Sequence, residues 1–228
     1  MMGLGGGPAH TYRGVNLDTS TVPSGVADQA GPTRTGSVAA ITGGGPGGSG
    51  QTVTFGAFPS EVTGVRFSLN GVGTRFGSVR LAAYALSGAV PSGAPLAFSP
   101  HYGMEDMATG DTDTYFPLSG WTPSASTQYG FVLEPFNYYR LTSHGMLIGS
   151  AAGGYADGVN VDNAIESPSP IDAQNAGWSA TAGTDLDFTV YSVSGSDTAS
   201  SSSPDDIEKL APSQIMMAAI TRRPRYPR

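Results

Sequence analysis

Two carboxylates facing each other across a sugar can cleave a glycosidic bond. Four acids in this sequence are available for that role: Glu134, Asp157, Asp162 and Glu166. Spacing alone pairs none of them. The stretch Asp157-Gly158-Val159-Asn160-Val161-Asp162 alternates oxygen donors as calcium loops do, but it lacks the spacing of the helix–loop–helix loop. A polar turn is the plainer reading. The three histidines, His10, His101 and His144, are scattered, and no cysteine accompanies them, so no zinc site is expected. His101 lies near Glu105 and Asp106, which could hold a metal or act as an acid–base pair; against this stands a solvated loop after Pro100. His144 reads as an edge or surface position on a strand.

Gly43, Gly45 and Gly48 match the letters of a dinucleotide-binding turn, yet no strand-and-helix unit surrounds them. The lone lysine, Lys209, belongs to no phosphate-binding loop, and no Gly-x-Ser-x-Gly elbow occurs. No catalytic residue, metal or cofactor is therefore expected, and the chain reads as a non-enzyme. Aromatic side chains are the remaining candidates. Phe136, Tyr138 and Tyr139 cluster with Arg140, and Tyr155 follows in a glycine-rich loop. On an exposed rim Tyr138, Tyr139, Arg140 and Tyr155 could stack on a glycan or fill a partner's pocket. The plainer alternative is sandwich core plus a tyrosine edge. Trp121 and Trp178 read as core or strand-end residues.

The elements that must hold these residues fall into three regions. Residues 1–50 contain fourteen of the 33 glycines and few large apolar side chains, so they read as an extended arm closed by the linker-like run 43–50. Leu4, Tyr12, Val15 and Leu17 are its candidate anchors. Residues 51–193 read as one β domain. Val65, Phe67 and Leu69 alternate with Arg66, Ser68 and Asn70, the period-2 pattern of a half-buried strand. Further strands are expected over 51–58, 77–86, 94–98, 112–118, 127–133, 138–148, 177–181 and 185–193, with dense glycine, proline and serine punctuation between them. Eight or nine short strands without helical periodicity predict an antiparallel sandwich. Residues 194–228 read as a serine-rich linker, short helices over 205–210 and 213–220, and a basic extended end. Ile215, Met216 and Ile220 share an apolar stripe, and Arg222, Arg223 and Arg225 follow it as candidate anchors.

Charge divides the same way. Residues 51–208 carry four arginines against sixteen acids, and residues 209–228 carry five basic residues and no acid. The acidic body repels phosphate, which argues against nucleic acid as a partner of the main domain. No stretch approaches the ~20 apolar residues of a membrane-spanning helix, and the glycines keep no collagen period. Met1 to Pro8 has neither positive charge nor an apolar run, so no secretory signal is expected; with no cysteine, the expectation is a protein made and assembled in the cytosol.

The middle of the chain resembles a known family. The carrying segments are Gln51-Thr-Val-Thr-Phe55, Val62-Thr-Gly-Val-Arg-Phe-Ser-Leu69, Gly77-Ser-Val-Arg-Leu-Ala-Ala-Tyr84, Val90-Pro91-Ser92-Gly93, Pro95-Leu96-Ala97, Thr122-Pro123-Ser124, Thr127 to Leu133, Trp178, and Asp187-Phe188-Thr189-Val190-Tyr191. In order and turn texture they resemble the jelly-roll sandwich of the choice-of-anchor type, found in bacterial surface proteins and in structural proteins of tailed bacteriophages. The resemblance implies an all-β, antiparallel jelly-roll sandwich and no catalytic residues. The bacterial versions carry a signal and a sorting tail, which favours the phage setting here. The resulting expectation is a structural accessory of a virion, on the head as decoration or on the tail or fibre. Its arms would fasten it to other virion proteins, as a homo-oligomer for which a trimer would suit local symmetry. The alternative expectation is a carbohydrate-binding adhesin contacting a host surface glycan.

Overall fold

The computed structural model describes residues 25–42, 48–73, 77–105, 107, 109–118, 120–136, 145–163 and 177–194, and of residues 38–42, 136 and 145 the backbone alone. The described residues form strands and no helix. In chain order the strands are β1 (Val26–Ala30), β2 (Gly36–Thr42), β3 (Gly48–Thr54), β4 (Val62–Val72), β5 (Ser78–Ser87), β6 (Val90–Phe98), β7 (Tyr102–Gly103), β8 (Thr112–Pro117), β9 (Gln128–Phe136), β10 (Gly145–Ala152), β11 (Asn160–Asn163), β12 (Trp178–Thr181), β13 (Thr184–Leu186) and β14 (Phe188–Ser192). They make two antiparallel sheets of seven strands each, an arrangement compatible with a β-sandwich. The first sheet runs β1-β14-β4-β10-β13, with β2 also paired to β10 and β8 to β4. The second runs β12-β11-β3-β9-β5-β6, with β7 paired to β5.

Alternation sets the core. Val65, Phe67 and Leu69 of β4 are fully buried, and the registers Phe67↔Phe188 and Leu69↔Ile148 carry Phe188, Val190 and Ile148 onto the same face. In the second sheet β3, β5 and β9 turn Val53, Val79, Leu81, Phe131 and Leu133 toward them, closing one apolar cluster between the sheets. Its aromatic end is built from edge-on contacts: Phe55 meets Trp121 at 6.2 Å and Phe131 at 6.2 Å between centroids, and Trp121 meets Tyr129 at 4.9 Å. Such pairs add about 0.5–1.5 kcal/mol each beyond the area they bury.

Three expectations need correction. Residues 26–30 and 36–42, read as part of an extended arm, are strands that line one edge of the first sheet, β1 on β14 and β2 on β10. The run 43–50, read as linker, ends inside β3: Gly48, Ser49 and Gly50 are buried between β9 and β11. A Cβ on Gly50 would overlap the Phe131 carbonyl oxygen and lie 2.7 Å from Val132 Cα, so this central strand needs glycine for close approach. The strand expected over 185–193 is two, because it changes partner at Asp187: β13 pairs with β10 and β14 with β4, and the Asp187 amide and carbonyl bond Gly149 and Ser68 between them. β7 and β11 were not anticipated, being only two and four residues long. The helices expected over 205–210 and 213–220 lie outside the described residues.

Candidate functional site

Alternation that sends Leu81 and Leu133 inward sends Arg80, Ala82, Tyr84, Val132 and Glu134 to the other face of the second sheet. That face is buried too. Ala82, Tyr84, Val132 and Val161 form a second apolar cluster with Val159 and Trp178 packed on it. The sheet curls over it, so that β12 and β6, at opposite ends of the strand order, come together. Residues 93–96 of β6 lie opposite the single residue Tyr84, a large bulge that adds to the curl.

Glu134 is only 1% exposed at this cluster. Its register partner across the β9–β5 ladder is Arg80, whose Nε donates to Glu134 Oε2 at 2.8 Å. The Tyr84 hydroxyl donates to the other oxygen, Oε1. Above the pair the Arg80 guanidinium lies 4.9 Å from the centre of the Phe98 ring. The carboxyl group is thus held between a cation and a phenol, and the cation is backed by an aromatic face. His101 stands beside this group, with Nδ1 3.4 Å from Ser78 Oγ. Burial, and then the positive charge of Arg80, hold the imidazole pKa below its ordinary value.

The Asp157–Asp162 stretch divides between a turn and β11. Asn160 Nδ2 donates to Asp162 Oδ2 at 3.1 Å, and Ser49 Oγ donates to Asn160 Oδ1 at 3.4 Å. Burial pushes the Asp162 carboxyl up, against the downward pull of hydrogen bonds from Ser49 and Asn160. The Asp157 carbonyl accepts from Thr54 Oγ1 at 2.7 Å and from Gln128 Nε2 at 3.1 Å. These oxygens serve strand contacts, and among the described residues no three His, Asp or Glu side chains are grouped to hold a metal. Asp106, Glu166 and His144 lie outside the described residues.

Two further acids carry the densest polar structure, and the sequence reading passed over both. Asp185 Oδ2 accepts from the Gly154 and Tyr155 amides at 3.0 Å each, and its Oδ1 accepts from Gln51 Nε2 at 3.1 Å. Gln51 in turn accepts the Leu186 amide at 3.0 Å, joining the two sheets through one buried side chain. Asp187 accepts from Arg66 Nη2 at 2.7 Å and from the Arg34 amide at 3.2 Å. Arg66 also reaches Asp113 at 2.7 Å, and Arg34 reaches Asp111 at 2.7 Å. Burial works against the Arg66 charge, but Asp113 and Asp187 outweigh it and its pKa is raised. No distinct signal marks them in the sequence: Asp185 and Asp187 alternate with Leu186 and Phe188 as the polar positions of an ordinary half-buried strand do.

Tyr155, read as a candidate rim residue, is buried instead. Its amide is held by Asp185, its ring meets Phe188 edge-on at 5.2 Å, and its hydroxyl donates to Gln29 Oε1 at 3.3 Å. Burial raises its pKa well above the ordinary phenol range. Its aromatic face is spent on the core. Trp121 and Trp178 pack on the main and the small cluster as expected. Tyr138, Tyr139 and Arg140 lie outside the described residues, as do Leu4, Tyr12, Ile215, Met216, Ile220, Arg222, Arg223 and Arg225.

The chain enters and leaves this fold at one place. Val26 pairs with Ser192, so Gly25 and Val193 are neighbours. A Cβ on Gly25 would overlap the Ser192 carbonyl oxygen, and its φ of +93° lies where glycine is favoured. Beyond Ser192, the Val193 amide donates to the Glu61 carbonyl at 2.9 Å and the Ser194 amide to Ser60 Oγ at 3.1 Å. Comparison with family models, with curated proteins and with solved structures finds no match to this chain.

Proposed function

We propose that this protein is a non-enzymatic structural accessory of a phage virion, displayed on the head or tail and fastened through its terminal segments. The observation that carries the reading is the shared corner: Gly25 and Ser194, the described residues that adjoin 1–24 and 195–228, both lie at the end of the β1–β14 pair. Two segments that leave a domain at one point can grip one partner surface without straining the domain between them. The acids support a structural role. Glu134 is bound by Arg80 and Tyr84, Asp185 by Gln51 and two amides, and Asp187 by Arg66 and the Arg34 amide. The virion setting comes from the resemblance of strand order and turn texture to choice-of-anchor sandwiches, and the jelly-roll path belongs to the same reading. The glycan reading, with Tyr155 buried, rests on Tyr138, Tyr139 and Arg140.

The test is incorporation into particles. The full chain should co-purify with virions at a fixed copy number by quantitative mass spectrometry. A chain lacking residues 205–228 should fold normally, judged by circular dichroism, yet be lost from them. A full chain that never enters particles overturns the proposal. Binding on a glycan array that disappears in a Tyr138→Ala/Tyr139→Ala double variant would favour the adhesin instead.

A further inference from the structure

We propose that residues 25–42 are exchanged between two copies of this chain, the strap of one lying on β14 and β10 of the other. The inference does not rest on the virion reading. It starts from how the strap is held. None of residues 25–37 is buried, so in this part of the strap no side chain is sunk in the core. Main-chain bonds fix its course instead: the β1–β14 ladder, the Gly31 amide to the Phe188 carbonyl at 3.0 Å, the Thr35 amide to the Ser150 carbonyl at 3.0 Å, and the β2–β10 ladder. The side-chain bonds are polar and, apart from the Arg34–Asp111 ion pair at 2.7 Å, local to that edge. Ser192 Oγ donates to Asp28 Oδ2 at 3.0 Å, the Arg34 amide donates to Asp187, and Tyr155 donates to Gln29.

The seat is specific in shape. A Cβ on Gly31 would lie 2.6 Å from the Phe188 ring, and a Cβ on Gly154 would lie 2.9 Å from Pro32. A foreign strand would not fit where this one does, whereas the same strap from a second copy satisfies every bond unchanged. Between the strap and β3 stands Gly43-Gly44-Gly45-Pro46-Gly47, four glycines in five residues, a sequence that imposes little on the path the chain must take. Exchange of an identical element needs a change only in such a connection, which makes it a low-cost route from monomer to oligomer. An edge element held by main-chain bonds, with no buried side chain over residues 25–37, also belongs to the part of a fold that opens most readily.

The chain has no cysteine, so single introduced thiols report without background. Ala27 and Tyr191 are register partners on the outward side of β1 and β14, and neither is buried. An Ala27→Cys chain and a Tyr191→Cys chain would be co-expressed, purified and treated with a short bis-maleimide. Exchange predicts a covalent dimer joining one chain of each kind, and a molar mass by light scattering at least twice the 23.2 kDa of one chain. An Ala27→Cys/Tyr191→Cys chain, by itself, should give the same intermolecular product. A monomeric mass at high protein concentration overturns the proposal. So does an oligomer in which the two single variants fail to link, or a double variant that links only within its own chain.

Discussion

Glu134 and Arg80 form a buried ion pair whose value depends on both members being present. Removing a charge from water is costly, and the pair offsets that cost only while the geometry is intact. Arg80→Met should therefore lower stability by about 3–5 kcal/mol, since it leaves a carboxylate buried without its cation. Glu134→Gln should cost less, because the amide still accepts from Tyr84. Replacing the whole group, Arg80→Met with Glu134→Leu and Tyr84→Phe, should recover most of the loss. Urea unfolding midpoints of the variants check this order. His101 supplies a second prediction at the same scale. Its folded pKa is depressed by burial and by Arg80, while the unfolded value is about 6.5. The folded state then binds fewer protons than the unfolded one as pH drops below about 6.5, so stability falls with acidification in that window. Asp162 has the opposite sign: its folded pKa is raised, so it favours folding as pH falls through that value. His101→Gln should flatten the slope below about pH 6.5, and equilibrium unfolding at stepped pH measures it.

At the scale of elements, β3 shows most plainly what a strand can hide. Its first residues, Gly48-Ser49-Gly50, have the composition of a connector, yet they open a strand that is central in the second sheet. Glycine is needed because β9 passes too near for a side chain at position 50. Gly50→Ala should destabilise by about 3 kcal/mol through forced separation of β3 and β9. Gly36→Ala is the matched control, since its Cβ would sit at ordinary contact, 3.8 Å from the Ser150 carbonyl oxygen. Thermal melts of the two variants should separate by many degrees. The strands that were legible, β4, β5, β9 and β14, place one apolar face on the core and so alternate. Those that were not legible, β1, β2, β7 and β11, are short or held mainly by their backbones.

For the molecule as a whole, Asp187 ties three parts together: β4 through Arg66, the strap through the Arg34 amide, and β10 through its own amide on the Gly149 carbonyl. Asp187→Asn keeps the shape and removes the charge, which should cost about 2–3 kcal/mol from weakened charge-assisted hydrogen bonds. The loss should not spread evenly. Hydrogen exchange at the Gly31 and Thr35 amides, which bond the Phe188 and Ser150 carbonyls, should accelerate more than exchange at Leu81 or Leu133. Equal acceleration everywhere would mean that Asp187 acts on global stability and does not hold the strap in particular.

The sequence alone determined the class of the fold, because period-2 alternation and turn residues are local signals that survive in any arrangement of strands. It also located the main core, since Val65, Phe67, Leu69, Phe188 and Val190 have one apolar face to bury. What it could not reach depends on which strands become neighbours. Only the tertiary structure decided that Glu134 faces Arg80, that Tyr155 turns inward onto Phe188, that Asp185 joins the two sheets through Gln51, and that Asp187 gathers Arg66 and the Arg34 amide. Only it brought the start of β1 beside the end of β14, more than 160 residues apart in the chain. Pairing across such distances is set by register and packing, and the identity of a residue does not name the partner that folding will place opposite it.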